Sequence, residues 1–174
     1  MDARIQDLHR NGRPSAANAF TDAMSRAVNG VSIVTTDGPN GQFGLTVSSM
    51  TSVSATPPML LVCINRSSIA HDAIRDNDRF AINVLASHQH EIASQFAGHS
   101  DAVDRYRFER EYWDAAASLP RLRGASAFFE CQLVSAMTFG SHSIIVGQVT
   151  ASCPGEDTPL LYTGRNYGRP ACLN

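Results

Sequence analysis

The residues best suited to chemistry are hydroxyls and one histidine. Thr46, Ser48 and Ser49 sit in the β-prone stretch from Phe43 to Pro58. Ser67 and Ser68 follow the apolar run of residues 59–65 and open a helical pattern. Ser and Thr hydroxyls, with backbone N–H groups, donate to phosphate or to the polar edge of a planar ring. A helix start adds free N–H groups and the positive end of the helix dipole, which together hold phosphate. Arg66 beside it offers an ion partner. The two groups lie on consecutive strands joined through Pro57-Pro58, so they can face one ligand without any long-range assumption. The plainer alternatives are a Ser/Thr-rich edge strand and a double N-cap. Gly140-Ser141-His142-Ser143 marks a bend between two β-prone runs. A histidine there can meet a ligand ring or donate a proton, or it is a turn residue with no role.

Several chemistries are excluded. The chain has no lysine; all fourteen basic residues are arginine. A Schiff-base lysine and a P-loop lysine are therefore out. Neither G-x-G-x-x-G nor G-x-S-x-G occurs, which removes the dinucleotide-fold fingerprint and the hydrolase elbow. His88-Gln89-His90-Glu91 has a metal-like composition. On a helix, however, i and i+2 point to different faces, and H-E-x-x-H is absent, so no metal is expected. Cys63, Cys131, Cys153 and Cys172 form no C-x-x-C pair and are expected as free thiols. A net charge of −2 leaves no footprint for nucleic acid. No apolar run is long enough to span a membrane, and the N-terminus lacks a signal-peptide core. A cytoplasmic protein is expected.

These residues need elements to hold them. The 174 residues fit one domain over 1–174, with 1–13 as a loose N-terminal arm. A charged fraction of only 17% suits a chain that buries extra surface, for instance in a homodimer. Periodicity predicts helices over 15–29, 68–76 and 88–98, with Phe20, Met24, Ala27 and Val28 on one face of the first. Strands are predicted at 31–36, 43–58, 59–65, 79–85, 127–138, 143–152 and 160–162. Residues 99–124 read as an irregular insert with short helices, and 164–170 as a C-terminal loop. Strands do not alternate strictly with helices, so a mainly β, antiparallel barrel with peripheral helices is the expected fold class.

Read in order, certain segments add up. They are Phe20-Thr21-Asp22-Ala23-Met24, Val31-Ser32-Ile33-Val34-Thr35-Thr36, Gly44-Leu45-Thr46-Val47-Ser48-Ser49, Pro57-Pro58, and Val62-Cys63-Ile64-Asn65 with Ser67. Phe80-Ala81-Ile82-Asn83-Val84-Leu85, Phe96-Ala97-Gly98, Gly140-Ser141-His142 and Pro159-Leu160-Leu161-Tyr162 follow. This ordered set resembles the short-chain flavin reductases, the reductase components of two-component flavin monooxygenases. The resemblance runs from about residue 18 to residue 170. It implies an FMN-binding split β-barrel that dimerises and reduces FMN or FAD with NADH or NADPH. Reduced flavin would diffuse to a separate oxygenase component. Carried over by position, Thr46, Val47, Ser48 and Ser49 would meet the flavin ring edge and ribityl chain. Cys63, Ile64 and Asn65 would line the other edge through backbone groups, and Ser67 and Ser68 would take the phosphate. Asn83 would close the ribityl side, His142 would lie beside the nicotinamide, and Tyr167 would approach the flavin. Two further readings keep the fold: a protein that holds FMN tightly and serves another acceptor, and a flavin-binding module without turnover.

Overall fold

Strand β2 (Ser32–Thr36) is buried at every position, because it lies between β3 (Phe43–Val47) and β6 (Arg79–Val84) in a seven-stranded sheet. The computed structural model describes residues 15–99, 107–114 and 116–171. The sheet continues through β9 (Ala127–Phe139), β10 (His142–Pro154) and β5 (Pro58–Asn65) to β4 (Thr51–Ala55). Its order is β3-β2-β6-β9-β10-β5-β4, and every pair is antiparallel. The two edge strands, β3 and β4, are joined by three residues, Ser48, Ser49 and Met50. A link that short forces the sheet to curl until β3 comes up against β5, beside the edge strand β4. β3 and β5 meet without pairing, so the barrel stays split. The expectation of a mainly β, antiparallel split barrel with peripheral helices is borne out.

Side-chain alternation sorts most of the interior into two cores, with a small third cluster of Ala81, Leu119 and Phe128. Val34, Val62, Ile64, Phe80, Ile82 and Ile145 pack inside the curl. Their neighbours Ile33 and Leu85 face the other side, where they pack with Phe96, Trp113 and Leu122. Helix α2 (Ile69–Asn77) sends Ile74 into the first core. Helix α3 (His90–Ser94) continues into a π-helical turn, Gln95–His99. Its Phe96 stacks edge-on against Phe108, with Trp113 beside both. Cys131 lies in the first core. Burial, with the nearby Glu130 charge, pushes its thiol up to about 12, so it stays a protonated small core residue.

Four expectations need correction. The stretch 43–58 is two strands on opposite edges of the sheet, separated at Ser48–Met50, rather than one. Helix α1 (Ala16–Met24) is shorter than 15–29 and buries nothing; Phe20, Met24 and Val28 are exposed. Among the described residues of 99–124 a short hairpin, β7 (Trp113–Asp114) with β8 (Arg121–Leu122), stands where short helices were expected. The presumed C-terminal loop is a hairpin, β11 (Leu161–Thr163) with β12 (Asn166–Gly168), and β11 also pairs with β1 (Asn29–Gly30). Its two-residue turn puts both Gly164 and Arg165 at positive φ, as the tightest hairpins require. Arginine gives no hint of that conformation in sequence.

Gly147 on β10 lies under the Phe80 ring. A Cβ there would stand 2.5 Å from Phe80 Cζ and 2.8 Å from Cys131 Cβ. Gly147→Ala is expected to cost about 1–3 kcal/mol of stability through overpacking. Urea unfolding reads this as a lower midpoint at unchanged slope. An unchanged midpoint would mean that the ring moves aside freely.

Candidate functional site

The split leaves a cleft between the end of β3 and the end of β5. One lobe, about 260 Å³, is lined by Thr46, Val47, Ser48, Ser49, Cys63 and His142. A second, about 370 Å³, is lined by Ser67, Ser68 and Ile69 at the start of α2 and by Phe96, Ala97 and Gly98 of the π-helical turn. Leu45, Thr46 and Asn65 line both lobes, so the two are adjacent. Among the described residues no carboxylate lines either.

Each wall is built by local bonds. Ser49 Oγ accepts from Cys63 N and donates to Cys63 O, both at 3.0 Å. One side chain thus satisfies the strand edge of β5 where β4 has left it. Thr46 Oγ1 donates to Ala93 O at 2.7 Å, which fastens α3 to β3. Gly44 lets the π-helical turn come close, since a Cβ there would sit 2.9 Å from Phe96 Cε1. Asn65 Oδ1 accepts from both Ser67 N and Ser67 Oγ, an Asx turn that reverses the chain into α2. Ser68 caps α2 by position, but its side chain makes no capping bond.

His142 is the first residue of β10 and stands opposite Asn65. It is exposed. Ser141 Oγ holds its Nδ1 at 2.9 Å, which leaves Nε2 without a partner among the described residues. Arg66 N donates to Ser141 O at 3.0 Å and so ties the turn to the end of β5. The neighbouring Ser143 is buried. It meets Nε2 of the buried His71 at 2.9 Å, and Asp72 Oδ1 meets the other ring nitrogen at 2.8 Å. His71 therefore locks α2 to β10 directly behind His142. Sequence reasoning missed it, because its partner is 72 positions away.

The cleft brings together Thr46, Val47, Ser48, Ser49, Cys63, Asn65, Ser67, Ser68 and His142. Three other candidates stand apart from it. Ile64 turns its side chain into the first core, fully buried. Asn83 is also fully buried. Its Nδ2 lies 3.3 Å from Ile33 O, Thr35 Oγ1 and Pro120 O, and its Oδ1 accepts from Leu122 N at 2.7 Å. It pins the β7–β8 insert to the sheet, and its polar atoms are engaged there. Tyr167 lines a different cavity beside His88 and His90. The hydroxyls of Thr46, Ser49 and Ser67 are committed to protein bonds. Among the described residues Ser48 and Ser68 keep theirs free. Gly44, Leu45 and the π-helical turn were not singled out as wall-forming, since their contact exists only once the barrel has curled. Among the described residues, no group of three or more His, Cys, Asp or Glu could hold a metal ion.

A family model described as flavin reductase like domain matches residues 24–171. The chain is 38% identical over 157 residues to the FMN reductase (NADH) RutF of Acinetobacter baylyi, across 89% of this chain and 82% of that protein. Among solved structures it is similar to BorF, the flavin reductase component of a bacterial two-component tryptophan halogenase. That match has a TM-score of 0.78 at 30% identity and covers 88% of this chain and 97% of the other. The NADH:FAD oxidoreductase SgcE6 of Streptomyces globisporus C-1027, solved with NAD and FAD fragments, matches with a TM-score of 0.81 at 29% identity. It covers 91% of this chain and 95% of its own.

Ser49→Ala removes both bonds to Cys63 and leaves its N–H and C=O to water. A loss of about 1–2 kcal/mol is expected, together with faster amide exchange at Cys63. If urea midpoint and exchange rate both match the parent protein, Ser49 does not seal this edge.

Proposed function

Because the chain belongs to the flavin reductase like family, we propose that it transfers hydride from NADH or NADPH to FMN or FAD. Reduced flavin then leaves for a separate oxygenase. The observation that carries this reading is the two-lobed cleft at the split, with no carboxylate among the described residues that line it, and with a helix start at one end and a histidine at the other. An anionic phosphate meets no like charge from the described residues there. A planar ring finds the aliphatic Leu45 and Val47 on one wall and Cys63 on the other. FMN with NADH is the first pairing to test, given the named activity of the Acinetobacter baylyi relative. A separate oxygenase is supported by the component role of BorF.

In this reading Ser68 and the leading N–H groups of α2 hold the phosphate. Asn65 and Ser67 shape that loop without spending their own groups on the ligand. Ser48 and the unpaired outer edge of β3 face the ring, and Cys63 and Asn65 close its far side. When bound, the flavin supplies N5 as acceptor for hydride from nicotinamide C4. The chain's own work is positioning: walls fixed by Ser49, Thr46 and Gly44 hold two rings in register and exclude water between them. His142 presents Nε2 to the nicotinamide, with its ring oriented by Ser141. No lysine, metal or nucleophile is needed. A cytoplasmic location is part of the proposal; among the described residues no helix is long and apolar enough to cross a membrane.

Purified protein is expected to oxidise NADH only when FMN or FAD is added, followed by loss of nicotinamide absorbance. His142→Ala should lower kcat/KM for the nicotinamide about tenfold, roughly 1.4 kcal/mol of transition-state stabilisation. Background rates with both flavins would sink the reductase assignment; an unaltered kcat/KM in the variant would remove His142 from it.

We also propose that the working form is a homodimer. Val134, Met137 and Phe139 are exposed on β9, as are Phe20, Met24 and Val28 around α1. So much apolar surface marks a contact face. Light scattering should give twice the 18.8 kDa chain mass, and a monomer at micromolar concentration would reject the dimer.

A further inference from the structure

A separate cavity, about 470 Å³, opens at the start of α3. His88, His90, Leu160, Tyr167 and Arg169 form most of its lining. Among the described residues it shares none with the cleft and, like the cleft, has no carboxylate in its wall. Its donors are unspent. Among the described residues, Arg169 forms no ion pair, whereas Arg165 in the same hairpin is paired with Asp22. The side chains of His88 and His90 make no hydrogen bond there either. The histidines flank Gln89, which is buried and committed: its Oε1 accepts from Ala86 N and its Nε2 donates to Arg123 O. That anchor fixes the positions of both neighbours at the rim.

Tyr167 supplies a rigid platform. It pairs with Tyr162 across the hairpin, and the two rings meet edge to face at 5.4 Å. The His90 ring lies 6.4 Å away. A half-buried aromatic ring ringed by arginine and histidine nitrogens suits a planar base carrying a phosphate. Bases stack on aromatic side chains, and arginine and histidine donate to phosphate oxygens. The cavity also stands within reach of the cleft. Helix α3 and its π-helical turn run from His90 at this cavity to Ala97 at the phosphate lobe. Seven helical residues are about 10 Å, a span that a dinucleotide covers.

We propose that this cavity is an adenylate subsite, with the base on Tyr167 and the phosphate on Arg169, His88 and His90. The inference rests on the reductase reading, since adenylate is the part shared by NADH and FAD and absent from FMN. Two variants probe it without touching the cleft: Arg169→Gln, and His88→Gln combined with His90→Gln. Calorimetry with AMP reads the cavity directly. Steady-state assays compare NADH with reduced nicotinamide mononucleotide at saturating FMN, then FAD with FMN at saturating reduced mononucleotide.

AMP binding is expected to weaken roughly fivefold or more in each variant. One KM ratio should rise by a similar factor at unchanged kcat. A rise in NADH over mononucleotide assigns the subsite to the nicotinamide cofactor; a rise in FAD over FMN assigns it to the flavin. The proposal is overturned if AMP does not bind the parent protein, or if AMP affinity and both ratios are the same in parent and variants. Absence of turnover with every substrate pair would defeat the reductase reading instead, while AMP calorimetry still judges the cavity.

Discussion

Three residues join the two edges of a seven-stranded sheet, and the geometry of this molecule follows from that constraint. Ser48, Ser49 and Met50 cannot span an open sheet, so the sheet must curl. Closure would need a ladder between β3 and β5, but β4 already occupies part of that edge of β5. Where β4 departs, the backbone of Cys63 would be left unpaired. Ser49 supplies one donor and one acceptor from a single hydroxyl and satisfies both groups. Such a side-chain bridge holds the edges near each other without zipping them together. A zipped barrel would have no cleft, and an unbridged one would have no defined wall.

The remaining contacts tune the gap. Gly44 gives up a Cβ so that Phe96 can lie across β3, and Thr46 fastens the helix that carries Phe96. The cost of a bare glycine in a strand, about 0.5–1 kcal/mol, is offset by a ring buried among Phe108 and Trp113. On the opposite side, His71 and Ser143 join α2 to β10, so the helix start is tied to the strand that carries His142. Loops carry many of the cleft-lining groups, but each loop ends in a bond to a rigid element. That is what a reaction governed by ring placement demands.

Much of this was legible in residue patterns, and the exceptions share a cause. The buried strand at residues 31–36, the helix after Ser67-Ser68 and the long β9–β10 pair follow from local periodicity and capping chemistry. The break at Ser48–Met50 did not, because Thr51–Ala55 is as β-prone as Phe43–Val47 and no glycine or proline separates them. Roles decided by distant partners were equally hidden. Ser49 reads as a ligand hydroxyl until Cys63, 14 positions on, claims it. Asn83, placed at the ribityl side of a flavin by the resemblance, is instead surrounded by Ile33, Thr35, Pro120 and Leu122. Tyr167 falls away from the cleft because Arg165 adopts a positive φ and folds the chain end into a hairpin.

The displaced residues change how the fold relates to its chemistry. A cleft whose hydroxyls were all free would bind through many weak, exchangeable bonds to solvent-exposed side chains. Here three of the five cleft hydroxyls are spent on the protein itself, leaving Ser48 and Ser68 with backbone edges as the open polar groups. Backbone donors lose less conformational entropy on binding than mobile side chains do. In the proposed role they would meet a ring edge and a phosphate wherever the curl of the sheet has put them. Specificity in such a site is carried by the position of the split rather than by a set of reactive side chains. A chain without lysine, and with no metal-binding cluster among its described residues, can therefore still supply what hydride transfer between two rings requires.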